Sequence, residues 1–102
     1  MPSTNVCSAK KIVVGNTAIP NAKAYYGCAM IAGAVNSTLT VYRGNAATDN
    51  NQIDYVGSAV AGNSADSHKT APVDCDYVGV ANGGLYCVLA GTGSLAVIYY
   101  SE

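Results

Sequence analysis

The chain has 102 residues and a net charge of −1, and only 11% of its residues are charged, where a globular domain usually carries about a quarter. A chain of this length builds one small core, so residues 1–102 are expected to form a single domain. Five basic residues against six acidic ones give no electrostatic basis for binding nucleic acid or an anionic membrane.

Short runs of β-branched and aromatic residues, separated by Gly, Asn, Asp and Pro, predict strands from the start of the chain onward. A first strand is expected over residues 10–15, preceded by an extended N-terminal arm over residues 1–9. Turn-like residues follow at 15–17 and 19–21, and residues 24–35 are expected to form one long strand. No run is long or apolar enough to predict a transmembrane helix.

The middle of the chain combines the clearest strand pattern with the most polar segment. Residues 38–43 alternate so that Leu39 and Val41 share the face expected to be buried, and residues 52–56 form a second alternating run. Residues 61–71 lack an apolar period and are expected to be a mobile or partner-contacting loop.

The last third of the chain predicts one strand and then a terminal hairpin. Residues 73–80 resume a strand pattern, and residues 85–90 and 95–100 flank a Gly-rich turn. Leu95, Val97 and Tyr99 are expected to face the core. In total, about seven short antiparallel strands predict an all-β protein, folded as a small β-sandwich or a jelly-roll-like domain.

The four cysteines, Cys7, Cys28, Cys75 and Cys87, contain no closely spaced pair, which argues against a zinc site. The first residues lack the basic and apolar runs of an export signal, so reduced, buried thiols are expected. A disulfide between Cys75 and Cys87 is the alternative if the final location of the protein is outside a cell.

Few residues in this chain are suited to catalysis or metal binding. Asp74 and Asp76 are two residues apart, which in a strand puts both carboxylates on one face and makes them a candidate calcium site, the alternative being a solvated strand edge. His68 is the only histidine and lies in the predicted loop. No catalytic constellation results, so the chain is expected not to be an enzyme and to need no cofactor.

Eight tyrosines are the only aromatic residues. Four of them, Tyr42, Tyr55, Tyr86 and Tyr100, are expected to point outward from their strands. Tyrosine is enriched where proteins contact each other. These four residues are therefore candidate interface residues.

The C-terminal run NGGLYCVLAGTGSLAVIYY, residues 82–100, and the strand LTVYRG, residues 39–44, resemble small β-rich virion structural proteins of tailed bacteriophages. The likeness extends over residues 10–100 as an order of strands. The cysteines and residues 66–69 are not part of the shared pattern.

The resemblance implies a capsid decoration or cement protein that binds the assembled shell, with the major capsid protein or other virion subunits as partners. It implies a homo-oligomer, with a trimer favoured, located in the virion after assembly in the host bacterial cytoplasm. The alternative is a carbohydrate- or receptor-binding β-sandwich module of a phage fibre or neck component.

Overall fold

The computed structural model describes residues 8–33, 36–75 and 83–102. These residues form eight strands and a short 3₁₀ turn over Asp49–Asn51. The strands are β1 (Ser8–Val13), β2 (Gly15–Ile19), β3 (Ala24–Ile31), β4 (Ser37–Arg43), β5 (Gln52–Ser58), β6 (Ser64–Asp74), β7 (Leu85–Ala90) and β8 (Leu95–Ser101). The all-β prediction is confirmed, and none of the described residues belongs to a helix able to span a membrane.

The strands pair like one long hairpin that has been rolled up. β1 pairs with β8, β2 with β7, β3 with β6 and β4 with β5, all antiparallel. β8 also lies beside β3, and β7 beside β4, which winds the nested pairs into two four-stranded sheets. Sheet 1 has the order β1-β8-β3-β6 and sheet 2 the order β2-β7-β4-β5. Eight strands wound in this way form a jelly roll, one of the two architectures that the sequence predicts.

The core lies between the two sheets and draws alternate residues from most strands. Its largest fully buried side chains include Tyr25, Met30 and Ile98 from sheet 1. Leu39, Val41, Leu85 and Leu89 oppose them from sheet 2. Leu39 and Val41 therefore occupy the face that their alternation predicts, because a period of two places residues i and i+2 on the same side of a sheet.

Residues 61–71 are not the loop that their polarity predicts, because most of them belong to β6, the longest strand described. Among the described strands, β6 is an edge strand whose one neighbour is β3, and its inner side is no more than half buried. An edge strand needs few apolar side chains, and it tolerates Pro72 because one row of its backbone groups faces solvent. The prediction failed because it required an apolar period that an edge strand does not need.

The prediction of a terminal hairpin is also wrong, because β7 and β8 lie in different sheets. The turn between them crosses the sandwich, and Gly91 has a φ of 115° that strongly favours glycine. An added Cβ at Gly91 would also collide with the Ser37 side chain. After β7 the chain therefore passes from sheet 2 to sheet 1.

Two further boundaries differ from the sequence predictions. The turn expected at residues 15–17 is part of β2, which follows β1 after a single residue. The long strand expected over residues 24–35 ends at Ile31. Residues 8 and 9 of the predicted arm belong to β1, while residues 1–7 lie outside the described residues, as do residues 76–80 of the strand predicted over 73–80.

Candidate functional site

Three of the four candidate interface tyrosines lie together on the outer face of sheet 2. Tyr42 in β4 is the register partner of Tyr86 in β7, and Tyr55 in β5 is the partner of Thr40 one row further along. Tyr42 and Tyr86 are half buried, whereas Tyr55 is 55% exposed. Directly opposed aromatic side chains support each other across antiparallel strands. We call this surface the tyrosine face.

The tyrosine face carries no charge at the outward positions of the described strands. Those positions combine tyrosine with small, amide, hydroxyl and aliphatic residues. They are Asn16, Ala18, Thr38, Thr40, Tyr42, Gln52, Tyr55, Gly57, Tyr86, Val88 and Ala90. Covering such a surface with another protein removes no ionised group from water, so its desolvation cost is low.

One end of the tyrosine face holds a shallow cavity of about 330 Å³. The Tyr55 side chain lies over Gly57, since an added Cβ there would sit 3.3 Å from the tyrosine hydroxyl oxygen. Asn36, Thr38 and Ser58 line the rest of the cavity with amide and hydroxyl groups. The cavity therefore offers an aromatic wall beside polar groups able to donate and accept hydrogen bonds.

Tyr100, the fourth candidate, is not at the surface. It is 9% exposed and belongs to the core between the sheets. In β8 the buried positions are Ala96, Ile98 and Tyr100, whereas Leu95 and Tyr99 are exposed. Both sides of this strand are apolar in sequence, so alternation alone does not show which side faces the core. The prediction that Leu95, Val97 and Tyr99 face the core is wrong.

A polar cluster closes the gap between the edge strands β5 and β6 of the two sheets. The Tyr25 hydroxyl donates a 2.6 Å hydrogen bond to Oδ2 of Asp54. The backbone N–H of Tyr55 donates to Oδ1 at 2.8 Å, and the Lys69 ammonium lies 3.6 Å from the same oxygen. The Asp54 side chain is only 8% exposed, so these partners replace the water that a carboxylate loses on burial.

The cluster keeps Asp54 ionised. Burial acts to raise its pKa, but hydrogen bonds from Tyr25 and Ser67, the N–H of Tyr55 and the charge of Lys69 outweigh burial and lower the pKa. Tyr25 shifts the opposite way: burial first, and then the bond to Asp54, raise the pKa of its phenol far above the usual value. A neutral phenol bound to an ionised carboxylate is a stable pair, and it links β3 of sheet 1 to β5 of sheet 2. The cluster therefore joins the sheets structurally.

The candidate disulfide is absent from the structure, where Cys75 and Cys87 are both buried free thiols. Burial raises the pKa of each of these thiols to about 12. Cys28 is a third buried free thiol, and burial raises its pKa as well. Raised pKa values make these cysteines unreactive packing residues. Cys7 lies outside the described residues.

The remaining candidates stay apart from the tyrosine face. Asp74 is exposed at the end of β6, where its backbone carbonyl accepts a 3.0 Å hydrogen bond from Arg43. Asp76 lies outside the described residues, and within residues 8–33, 36–75 and 83–102 no three His, Cys, Asp or Glu side chains are grouped to hold a metal ion. His68 is exposed on β6 rather than in a loop.

Sequence reasoning missed the Asp54 cluster, although a signal for it existed. Asp54 lies two residues before Val56, so it shares the inward side of β5 with a buried residue. A carboxylate at such a position needs partners. Those partners come from β3 and β6, and sequence spacing does not identify them.

No protein family, curated protein or solved structure was found to match this chain.

Proposed function

We propose that this chain is a structural virion protein, a capsid decoration or cement protein that binds the assembled shell and stabilises it. The tyrosine face is the observation that carries this proposal. It presents Tyr42, Tyr55 and Tyr86 on a surface whose described strand positions carry no charge, which is the composition that protein interfaces favour at their centre.

Repetition supplies the rest of the binding energy in this proposal. A decoration protein contacts many equivalent sites on a shell, and an oligomer holding several sites gains effective concentration. Binding to the assembled state alone stabilises that state by mass action. The partners are the major capsid protein or other virion subunits, and the chain acts in the virion after assembly in the host bacterial cytoplasm. A homotrimer over a three-fold junction is the oligomer that the phage resemblance implies.

Binding to particles that lack the chain tests this function. Shells assembled from a genome without the gene are mixed with purified protein, and binding is measured by co-sedimentation over a range of protein concentrations. Replacing both Tyr55 and Tyr86 by Ser is expected to weaken binding at least tenfold, because interface tyrosines are frequent hot spots.

Val60→Ser is the matched control for the tyrosine variant. Val60 is 57% exposed in the turn after β5 and does not lie on the tyrosine face, so its replacement is expected to leave binding unchanged. Absence of wild-type binding, or equal binding by the wild-type protein and the double tyrosine variant, would contradict the proposal.

The cavity beside Tyr55 supports a second candidate, a carbohydrate- or receptor-binding module of a phage fibre or neck component. An aromatic wall next to Asn36, Thr38 and Ser58 provides stacking and hydrogen-bonding groups of the kind sugars use. A glycan array distinguishes the two candidates. Glycan binding that Tyr55→Ser removes, together with no binding to shells, would favour this second function.

A further inference from the structure

The outer face of sheet 1 is the second large surface that residues 8–33, 36–75 and 83–102 leave uncovered, and it is the more apolar one. Val13, Ile31, Leu95 and Tyr99 are 62%, 54%, 39% and 37% exposed. Ile31 and Leu95 line a shallow pocket of about 270 Å³ together with Lys11, Ala29 and Val97. We call this surface the apolar face. Clustered exposure of large apolar side chains marks interaction sites on soluble proteins.

The strand register orders the apolar face into three rows, each read from β1 through β8 and β3 to β6. The first row is Val13, Leu95, Ile31 and Ser64; the second is Lys11, Val97, Ala29 and Asp66; the third is Ala9, Tyr99, Gly27 and His68. The second row thus carries a positive charge at one edge of the sheet, a negative charge at the other and apolar residues between them.

We propose that the apolar face binds a second copy of itself around a two-fold axis that runs along the strands, midway between β8 and β3. Such an axis places β1 opposite the partner's β6, and β8 opposite the partner's β3. Each row then faces the same row of the partner. Lys11 then faces the partner's Asp66, and Asp66 faces the partner's Lys11. The interface is isologous, so each favourable pair occurs twice.

Side-chain size agrees with this arrangement. In the third row, the exposed His68 faces the partner's exposed Ala9, and the exposed Tyr99 lies level with the partner's Gly27, which is itself buried. In the second row, Val97 faces the partner's Ala29. Aligned packing of two sheet faces is a standard arrangement in β proteins and tolerates the angle that sheet twist introduces.

Charge rules out the other two-fold axis that lies in the plane of the interface. An axis perpendicular to the strands keeps β1 opposite β1 and β6 opposite β6. The second row would then face its own copy, with Lys11 against Lys11 and Asp66 against Asp66. Like charges brought together in this way oppose association.

The size of the face predicts a weak pair. Four strands spaced about 4.8 Å apart and five residues rising about 3.4 Å each span roughly 300–400 Å² in projection. A standard interface buries about 800 Å² per partner. The dimer is therefore expected to form at high micromolar concentrations in free solution.

Charge reversal tests the proposal by sedimentation equilibrium of the full chain between 10 µM and 1 mM. The wild-type protein is expected to fit a monomer–dimer equilibrium. Lys11→Asp and Asp66→Lys each place two pairs of like charges across the axis, so each variant alone is expected to dimerise about tenfold or more weakly. An equimolar mixture of the two restores opposite charges in both pairs and is expected to recover dimerisation.

Ala29→Trp provides a test that does not depend on charge, because a large ring near the axis keeps the two faces apart. Thr40→Trp, at the corresponding central position of the tyrosine face, is the matched control and is expected to dimerise like the wild-type protein. The proposal is overturned by a monomer up to 1 mM, by a trimer mass, or by a mixture that associates no better than its components. None of these readouts involves shells, so a failure of the dimer is distinguishable from a failure of shell binding. A trimer mass would favour the oligomer that the phage resemblance implies over this dimer.

Discussion

Asp54 is the residue on which the closure between the two edge strands depends. It accepts hydrogen bonds from Tyr25 and from the N–H of Tyr55, and Lys69 lies beside it. These partners join strands of both sheets at one carboxylate. Hydrogen bonds to a charged group contribute more to stability than neutral ones.

Tyr25→Phe is therefore expected to lower the free energy of unfolding by about 2 kcal/mol at pH 7, because it removes one charge-assisted hydrogen bond. The folded-state pKa of Asp54 lies below its unfolded value of about 3.9. Its contribution is thus present above about pH 4 and is lost as the pH falls further. Urea unfolding at pH 7 and at pH 3 measures both effects, and the variant is expected to differ less from the wild-type protein at pH 3.

Tyr26→Phe is the control for this change, since Tyr26 is a half-buried tyrosine next to Tyr25 in the same strand. Its effect is expected to stay within about 0.5 kcal/mol. Equal losses of unfolding free energy from the two variants would show that the hydrogen bond from Tyr25 to Asp54 does not contribute to stability.

The buried thiols give a second prediction at the residue scale. Burial raises the pKa of Cys75 and of Cys87 to about 12, while an unfolded thiol titrates near 8.5. Their stabilising contribution is complete below about pH 8.5 and is lost as the pH rises from there through about 12. Iodoacetamide at pH 8, followed by peptide mapping, is expected to label both cysteines only after unfolding in guanidinium. Rapid labelling of both in the native protein would contradict their burial.

At the scale of elements, alternation predicted the strands that have one polar side and failed where both sides are alike. β4 has Thr on one side and Leu or Val on the other, so Leu39 and Val41 were assigned correctly. β8 is apolar on both sides, and β6 is largely polar on both. Whether these strands form, and which of their sides is buried, depends on contacts with neighbouring strands. Sequence periodicity carries no information about those contacts.

The phase of β8 is directly testable. Ile98→Ala is expected to cost about 2–5 kcal/mol of unfolding free energy, because Ile98 is fully buried and its truncation leaves a cavity. Val97→Ala, on the outer side of the same strand, is expected to cost about 0.5 kcal/mol. Denaturant unfolding at low protein concentration measures both without interference from association. A larger cost at Val97 than at Ile98 would reverse the assigned phase.

At the scale of the molecule, the sequence predicted the fold class but not the winding of the strands. Turn residues at regular spacing indicate many short strands, yet the β1–β8 pair joins Ser8 to Tyr100 across nearly the whole chain. Such contacts form only when the complete chain folds. The candidate site shows the same limit: tyrosines from β4, β5 and β7 were predicted as separate outward residues, and the jelly roll brings them onto one face.

The arrangement of the whole molecule also shows where the low charge of the chain is located. Sheet 2 presents an uncharged outer face at its described positions, and the outer face of sheet 1 is apolar between Lys11 and Asp66. The first is the face proposed to contact the shell, and the second is the face proposed to pair two copies in free solution. A protein with two such surfaces is suited to being covered on both sides by neighbouring subunits.

Cryo-electron microscopy of purified phage particles that encode this chain tests the central claim most directly. The proposed function predicts many symmetry-related copies on the head, each with the face that carries Tyr42, Tyr55 and Tyr86 against the shell. Particles that lack the chain, or that hold it with this face fully exposed to solvent, would contradict the claim.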